Sequence, residues 1–304
     1  MIPVKIFDET APLEAVILGT ASSMGGIPEL EKTYDPKSRE HILAGTFPNE
    51  VDLVEEMEGV RQVFEKYGVE VYRPDSIANL NQIFARDIAF VIEDKLVIPC
   101  VTQERKKESD GIDHIINRVE NVILPDEHLF MEGGDIMPWK GHLFVGYSKK
   151  EDFDQYTVAR TNEASLDYLK ETFSNWEVRG FELKKSDTNP KENALHLDCC
   201  FQPVGKDKAV IYRDGFKYRE DVNYLIDFFG VENLFEITKE EMYEMNSNFF
   251  SISPDVVISE TDFARLNNQL ERWGIKVEKV KYREVAKMEG LLRCTTMPLR
   301  RRYV

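Results

Sequence analysis

Side chains that could do chemistry recur at equivalent places along this chain: each lies at the predicted start of the first strand of a hairpin, except one that lies in the last predicted strand. Imidazole and thiol groups serve acid–base and nucleophilic chemistry, and carboxylates hold cations. Because a buried carboxylate is costly unless it is paired, a ring of such groups predicts a site and not a packed core. The residues are Asp87, Glu132, Asp135, His196, Asp198 and Cys294, with Asn246 and Asn248 similarly placed but assigned no role.

The elements that must position these groups repeat with a loose period of roughly 40–60 residues. Each unit has two strands joined by a turn, then a helix, then a lone strand. Hairpins are predicted from β-branched and aromatic flanks around polar turns, and helices from apolar residues at three- and four-residue spacing. The hairpins cover residues 87–98, 135–146, 196–212 and 248–259. The clearest helical stretches are 51–67, 112–119 and 263–273.

The fifth unit is split between the two ends of the chain. Its opening strand is predicted at Ala15–Thr20 and its closing strand, which contains Cys294, at Leu291–Met297. Pairing these strands would close a ring and hide its edges. We therefore predict one domain, residues 1–304, with an α/β fold in which five ββαβ modules form an α/β propeller with pseudo-fivefold symmetry.

Composition excludes several classes of partner. The 304 residues carry a formal net charge of −16, whereas binding to nucleic acid or to an anionic membrane requires basic surface. No apolar stretch approaches the roughly 18–20 residues needed to cross a bilayer, and no secretory signal is evident, so we expect a cytoplasmic protein. The spacing of Cys100, Cys199, Cys200 and Cys294 matches no zinc site, and we expect free thiols.

Five short segments resemble the guanidino-group modifying superfamily, which contains arginine deiminases, dimethylarginine dimethylaminohydrolases and amidinotransferases. The resemblance covers nearly the whole chain and follows the order of the family's motifs. It implies the five-module α/β propeller that the repeats also predict. The segments are Phe84–Asp87, Met131–Asp135, Arg160–Asn162, Leu195–Asp198 and Arg293–Leu299.

The resemblance implies catalytic and binding roles. Cys294 resembles the nucleophile and His196 the general acid/base, while Glu132 resembles the carboxylate that orients and charges this histidine. Asp87 and Asp198 resemble the two carboxylates that bind the substrate guanidinium. These five residues form the core of the predicted site.

Further positions are predicted around that core. Asp135 either contacts the substrate or braces the site from behind, and Arg160 holds either a substrate carboxylate or a structural one. The segments Ser22–Gly26 and Tyr34–Lys37 are hypothesised to control specificity, the second as a lid.

The predicted function is a cysteine-dependent hydrolase of a guanidinium C–N bond in an arginine-like substrate. A covalent amidino-thiol intermediate would yield a ureido product such as citrulline, with ammonia or an alkylamine. The alternatives are an amidinotransferase that uses an amine in place of water, and a binding protein without turnover. No metal and no organic cofactor is implied, because thiolate and imidazole supply both steps. The expected partner is a small guanidino molecule, and a homodimer is left open.

Overall fold

Fifteen β-strands lie within residues 1–303, the part of the chain that this computed structural model describes, and they form five separate three-stranded sheets. The strands are β1 (Leu13–Leu18), β2 (Glu70–Tyr72), β3 (Phe90–Ile92), β4 (Lys95–Val97), β5 (Val122–Ile123), β6 (Ile136–Trp139), β7 (His142–Tyr147), β8 (Glu177–Glu182), β9 (Phe201–Val204), β10 (Lys208–Ile211), β11 (Leu234–Glu236), β12 (Phe250–Ser253), β13 (Val256–Glu260), β14 (Lys276–Val280) and β15 (Thr296–Arg301).

Helices connect the strands. The α-helices are α1 (Pro36–Leu43), α2 (Glu50–Lys66), α3 (Ala85–Ile88), α4 (Asp113–Ile116), α5 (Lys150–Gln155), α6 (Glu163–Thr172), α7 (Arg219–Phe229), α8 (Lys239–Tyr243), α9 (Ala264–Arg272) and α10 (Arg283–Ala286). Single turns of 3₁₀-helix span Leu30–Lys32, Glu108–Ile112, Gly133–Asp135, Pro190–Glu192, Leu197–Cys199, Arg213–Gly215 and Val231–Asn233. No described helix combines the length and the apolar character that a bilayer span requires.

All five sheets share one strand pattern. The middle strand pairs antiparallel with one neighbour and parallel with the other. We number the sheets as modules: module 1 is β15–β1–β2, module 2 is β3–β4–β5, module 3 is β6–β7–β8, module 4 is β9–β10–β11 and module 5 is β12–β13–β14. Module 1 therefore joins the two ends of the chain, because β1 pairs antiparallel with β15 and parallel with β2.

The closing strand begins later than the sequence predicted. Residues 291–295 form a turn in which the Thr295 N–H donates to the Leu291 carbonyl at 3.1 Å, and the strand starts at Thr296. The prediction that Cys294 lies in this strand is therefore wrong, because Cys294 lies in the turn that precedes it. A turn satisfies its backbone groups locally and needs no sheet partner.

The same displacement occurs in three other modules. Asp87 lies in α3, and Asp135 and Asp198 lie in 3₁₀ turns, so none of them starts a strand as predicted. His196 is the residue before the turn that contains Asp198, so these two side chains do not share a strand face. These modules thus carry their polar residues in a short turn or helix just ahead of the first strand.

The long helices agree with their periodic patterns. Helix α2 begins after Asn49, whose side chain accepts the Asp52 N–H, and α9 lies within its predicted stretch. The stretch 112–119 contains only the four-residue helix α4. The helices bury apolar faces against the sheets, with Leu53, Met57, Val60 and Phe64 of α2 in the main core.

The central position of β1 predicts a large effect of packing on stability. Val16 is fully buried in β1, so Val16→Ala should lower the free energy of unfolding by about 2 kcal/mol or more, from lost burial and the cavity left behind. Denaturant unfolding measures this change. The matched variant Val51→Ala, at a position 74% exposed in α2, should change it by less than about 0.5 kcal/mol. Equal effects of the two variants would contradict the placement of β1 in the core.

Candidate active site

A small cavity of about 40 Å³ lies beside the polar turns of several modules. Three predicted residues, Asp87, Arg160 and Cys294, line it. The other lining residues are Tyr34, Asp35, Ser38, Asn81, Phe84, Arg105, Leu195, Met288 and Glu289. A larger outer cavity of about 910 Å³ shares part of this wall, including Tyr34 and Asp35 of the hypothesised lid. Met24 and Gly26, of the other hypothesised loop, line only the outer cavity.

The thiol and the imidazole lie close together although 98 residues separate them in the chain, from 196 to 294. The sulfur of Cys294, one ring nitrogen of His196 and one carboxylate oxygen of Asp198 all lie within 4.8 Å of one another. The sulfur is 3.7 Å from Asp198 Oδ2. All three residues are buried, so their charges interact in a medium of low polarity.

The imidazole of His196 lies between carboxylates. Its Nε2 is 2.9 Å from Glu132 Oε2, and its Nδ1 is 3.8 Å from Asp87 Oδ1. Burial alone would lower the pKa of His196, but the Asp87 charge and the hydrogen bond to Glu132 outweigh it and raise this pKa to about 9. The ring is therefore an imidazolium at neutral pH.

Glu132 remains an anion in spite of its burial. Burial would raise the pKa of its carboxyl group, but the neighbouring guanidinium groups of Arg105 and Arg160 lower it well below its usual range. Arg105 Nη1 lies 2.8 Å from Glu132 Oε2, and Arg160 Nη1 lies 3.5 Å from Oε1. Glu132 can therefore charge and orient His196.

Asp135 lies behind the imidazole and does not line the cavity. Its Oδ2 accepts the Thr161 hydroxyl at 2.6 Å, and its Oδ1 accepts the Leu197 N–H at 2.9 Å. Both oxygens thus bind protein donors and fix the turn that follows His196. This geometry fits a bracing carboxylate, the second of the two predicted alternatives.

Gly134 allows this close packing. A Cβ atom built on Gly134 would lie 2.5 Å from Nδ1 of His196 and 2.6 Å from its Cγ. Any side chain at residue 134 would displace the imidazole, so this position requires glycine.

Arg160 lies fully buried at the cavity wall. Its guanidinium carbon is 4.6 Å from the centre of the Tyr34 ring, and its Nη1 is 3.2 Å from the Thr102 hydroxyl. Its Nε has no hydrogen-bond partner among the described residues. Arg160 therefore faces both Glu132 and the segment that was predicted as a lid.

The sequence did not identify Arg105 as a member of this site. Arg105 Nη1 bridges Asp87 Oδ2 at 2.9 Å and Glu132 Oε2 at 2.8 Å, while its Nη2 pairs with Glu108 at 2.9 Å. A guanidinium of the protein therefore already contacts a predicted guanidinium-binding carboxylate. The surrounding residues 104–110 are mostly charged, and nothing in their pattern distinguishes Arg105 from a solvated lysine or arginine.

Arg293 was also missed as a contributor to the site, and Asn248 was placed with the site residues but given no role. Arg293 Nη1 binds Asp198 Oδ2 at 2.9 Å, and the amide Nδ2 of Asn248 lies 3.2 Å from the Cys294 sulfur. Arg293 is adjacent to Cys294 in a motif segment, and this position in the sequence could have identified it as a site residue. Asn248 had the right position in its hairpin, but no contact could be assigned to it.

Burial and neighbouring carboxylates together keep the thiol of Cys294 protonated. Burial raises the pKa of this thiol well above its usual value, and the carboxylates of Asp198 and Asp87 raise it further. A backbone hydrogen bond at Leu291 and the amide of Asn248 act in the opposite direction. A cation bound between the two carboxylates would cancel part of their repulsion and favour the thiolate.

Within residues 1–303, two groups of side chains have the donor spacing of a metal site. They are His196, Asp198 and Cys294, and Asp87, Glu132 and His196. Arg293 and Arg105 already pair with carboxylates in these groups, which suits guanidinium chemistry better than a further divalent cation. The absence of a metal requirement stays a prediction.

Comparison with known proteins assigns the family. The family model described as N,N dimethylarginine dimethylhydrolase, eukaryotic, matches residues 49–301. The arginine deiminase of Latilactobacillus sakei is 28% identical, over 86% of this chain and 71% of that protein.

Solved structures share the fold at low sequence identity. SxtG, an amidinotransferase from Microseira wollei, has a TM-score of 0.76 and 16% identity, with 99% of this chain and 98% of that chain covered. The product-bound N-terminal domain of ArgZ, described as an arginine dihydrolase of cyanobacteria, has a TM-score of 0.77 and 16% identity, with 94% and 97% covered. The mixed α/β fold is therefore that of amidinotransferase and ArgZ structures. With most of its length matched by the family model, this chain belongs to the N,N dimethylarginine dimethylhydrolase family and so to the superfamily of guanidino-group modifying enzymes.

Proposed function

We propose that this protein hydrolyses a guanidinium C–N bond of an arginine-like substrate through a covalent intermediate on Cys294. The observation that carries the proposal is the convergence of the Cys294 sulfur, the His196 imidazole and the Asp198 carboxylate within 4.8 Å. The family match and the likeness to an arginine deiminase support hydrolysis. The proposed enzyme is a single cytoplasmic catalytic domain, and the pairing of β1 with β15 supports closure of its five modules into a propeller.

Binding would place the substrate cation between Asp87 and Asp198. Oδ1 of Asp87 has no hydrogen-bond partner among the described residues, and Oδ1 of Asp198 receives only S–H contacts. These two oxygens are therefore the free acceptors for guanidinium N–H groups. The bound cation would lower the pKa of the Cys294 thiol, which would lose its proton to solvent and leave the thiolate next to the guanidinium carbon.

The first chemical step forms a C–S bond. The Cys294 thiolate adds to the guanidinium carbon, and the His196 imidazolium gives its proton to the departing nitrogen. Breakage of the C–N bond then releases ammonia or an alkylamine. A cationic amidino-thiol remains on Cys294, and His196 is left neutral.

The second step uses water. Neutral His196 takes a proton from water as the oxygen adds to the amidino carbon, and the C–S bond breaks with its electron pair left on sulfur. The protonated ureido product passes its extra proton to the thiolate. This restores the Cys294 thiol and the His196 imidazolium, and a product such as citrulline leaves.

We propose that Arg160 binds the carboxylate of an amino acid substrate. It is buried, lines the same cavity as Asp87 and Cys294, and has an unused Nε–H. An arginine side chain suits a carboxylate because it offers parallel N–H donors. The substrate class would then be free arginine or an N-substituted arginine.

Amidino transfer is the second candidate, because SxtG is an amidinotransferase and its fold covers nearly all of this chain. The same thiolate and imidazole would serve, with an amine in place of water. Only the second step differs between the two reactions.

Product analysis separates the two reactions. With arginine alone we expect citrulline and ammonia, and with N-methylated arginines citrulline and an alkylamine. Cys294→Ala should form neither product because it removes the nucleophile, while Cys100→Ala, outside the cavity, should keep the parent rate. Ornithine that appears only when an amine acceptor is supplied would establish transfer in place of hydrolysis. Turnover by Cys294→Ala would refute the covalent mechanism.

The acid role of His196 requires an imidazolium at neutral pH. Because Asp87 and Glu132 raise the pKa of His196 to about 9, the protonated ring should persist below that pH and be lost above it. NMR titration of the histidine rings, with the signal assigned through His196→Asn, measures this pKa.

Glu132→Gln should lower the His196 pKa because it removes a negative charge and a charged hydrogen bond. The matched control is Glu177→Gln, which changes the carboxylate beside His142 near the surface and should leave the His196 titration unchanged. A His196 pKa at or below its usual range in the parent would remove the proposed acid.

Recognition of the substrate carboxylate by Arg160 can be tested with paired substrates. Arg160→Gln should lower kcat/KM for arginine by about 10- to 100-fold, the usual worth of a charged hydrogen bond. The kcat/KM for agmatine, which lacks the carboxylate, should fall far less. The control Arg179→Gln removes an arginine that lies over Tyr224 away from the cavity, and should affect neither substrate. Equal losses for both substrates would assign Arg160 to support of Glu132.

A further inference from the structure

The geometry points to Asn248 as a positioning residue that stabilises the thiolate of Cys294. The inference rests on the proposed function, because it concerns the nucleophile of that reaction. Asn248 is fully buried in the turn ahead of β12 and contacts the Cys294 turn from module 5.

The amide of Asn248 has a fixed orientation. Its Oδ1 accepts the backbone N–H of Arg293 at 2.9 Å and that of Cys294 at 3.1 Å. An NH₂ group cannot accept these two bonds, so the oxygen must face the backbone and the NH₂ group must face the sulfur. Nδ2 then lies 3.2 Å from Sγ, within hydrogen-bond distance for a sulfur acceptor. One side chain therefore holds the backbone of the nucleophile and donates to its sulfur.

The Asn248 N–H donor matters because the other groups around the sulfur disfavour its thiolate form. Asp198 and Asp87 raise the pKa of the thiol, and so does burial, which is the largest cause. The amide of Asn248 opposes them without carrying a charge that changes with pH. The titratable groups that face or interact with the sulfur are Asp87, His196, Asp198, Cys199 and Tyr282.

The amide remains a donor throughout the proposed cycle. His196 gives up its proton in the first step and is neutral when the amidino-thiol waits for water. The thiolate that re-forms when the C–S bond breaks then has the Asn248 N–H group beside it. A hydrogen bond to a charged group in a buried site is worth more than one at the surface.

The turn that carries Asn248 is itself anchored to module 4. The Ser247 hydroxyl donates to the backbone carbonyl of Asp198 at 2.9 Å. Among the described residues, Asn246, two positions earlier, makes no hydrogen bond to the sulfur, and its Oδ1 has no partner. Asn246 therefore supplies a matched control in the same turn.

The experiment measures the limiting rate of inactivation by 2-chloroacetamidine, a small amidinium alkylating agent, as a function of pH. At saturating reagent this rate reports the thiolate fraction in the complex. Asn248→Ala should move the rising limb to higher pH by about one unit, so that inactivation at neutral pH is roughly tenfold slower while the plateau at high pH is kept. Asn248→Ser, whose hydroxyl can still donate, should recover part of the shift.

Asn246→Ala should keep the pH dependence of inactivation seen in the parent. Denaturation midpoints report whether each variant is folded. An Asn248→Ala profile that matches the parent, or that is lowered equally at every pH, would overturn the inference, because a structural role alone does not move a pKa. A wrong proposed function would give a different result. The parent protein would then not be inactivated by 2-chloroacetamidine, and Cys294→Ala would show the same lack of inactivation.

Discussion

Arg293 carries a fully buried guanidinium on which the geometry of the site depends. It pairs with Glu9 at 3.1 Å and with Asp198 at 2.9 Å, and it donates to the backbone carbonyls of Gly134 and Ile136. These partners come from the N-terminal segment and from modules 3 and 4. A buried cation must be paired on every side, since an uncompensated charge costs several kcal/mol. Arg293 thereby holds together the turns that its neighbour Cys294 must face.

The same need to pair buried charges sets the charge balance around the cavity. Carboxylates from separate modules would repel one another if left unpaired, and buried arginines of the protein neutralise them. Arg105 bridges Asp87 and Glu132, and the positive charge of Arg160 also lies close to Glu132. The result is a protonated His196 beside an unionised Cys294. A substrate cation is the component that would shift this balance toward the thiolate.

The short segments ahead of the first strands explain how similar modules supply different side chains. The strands form the rigid frame, and a short turn or helix ahead of the first strand carries the polar side chains of each module. Turns satisfy their backbone groups locally, so their side chains are free to differ without disturbing the sheet. Cross-links between turns add precision. Arg86 donates its backbone N–H to the Cys294 carbonyl at 3.0 Å, and Asn248 clamps the same turn from the other side.

Local pattern in the sequence determined the hairpins and the long helices α2 and α9, and the family's motif segments predicted Cys294, His196, Glu132, Asp87 and Asp198 as one group of site residues. Alternation and helical spacing are local properties, and motif segments carry their residues with them. Tertiary structure decided what depends on contacts between distant segments. It placed Cys294 in a turn and Asp87 in the short helix α3 rather than in strands, put Asp135 behind the imidazole, and brought Arg105 onto two carboxylates. It also turned the Asn248 amide toward a sulfur 46 residues away in the chain. No local rule encodes such pairings, because the free energy of a buried charge or amide depends on the groups that folding places around it.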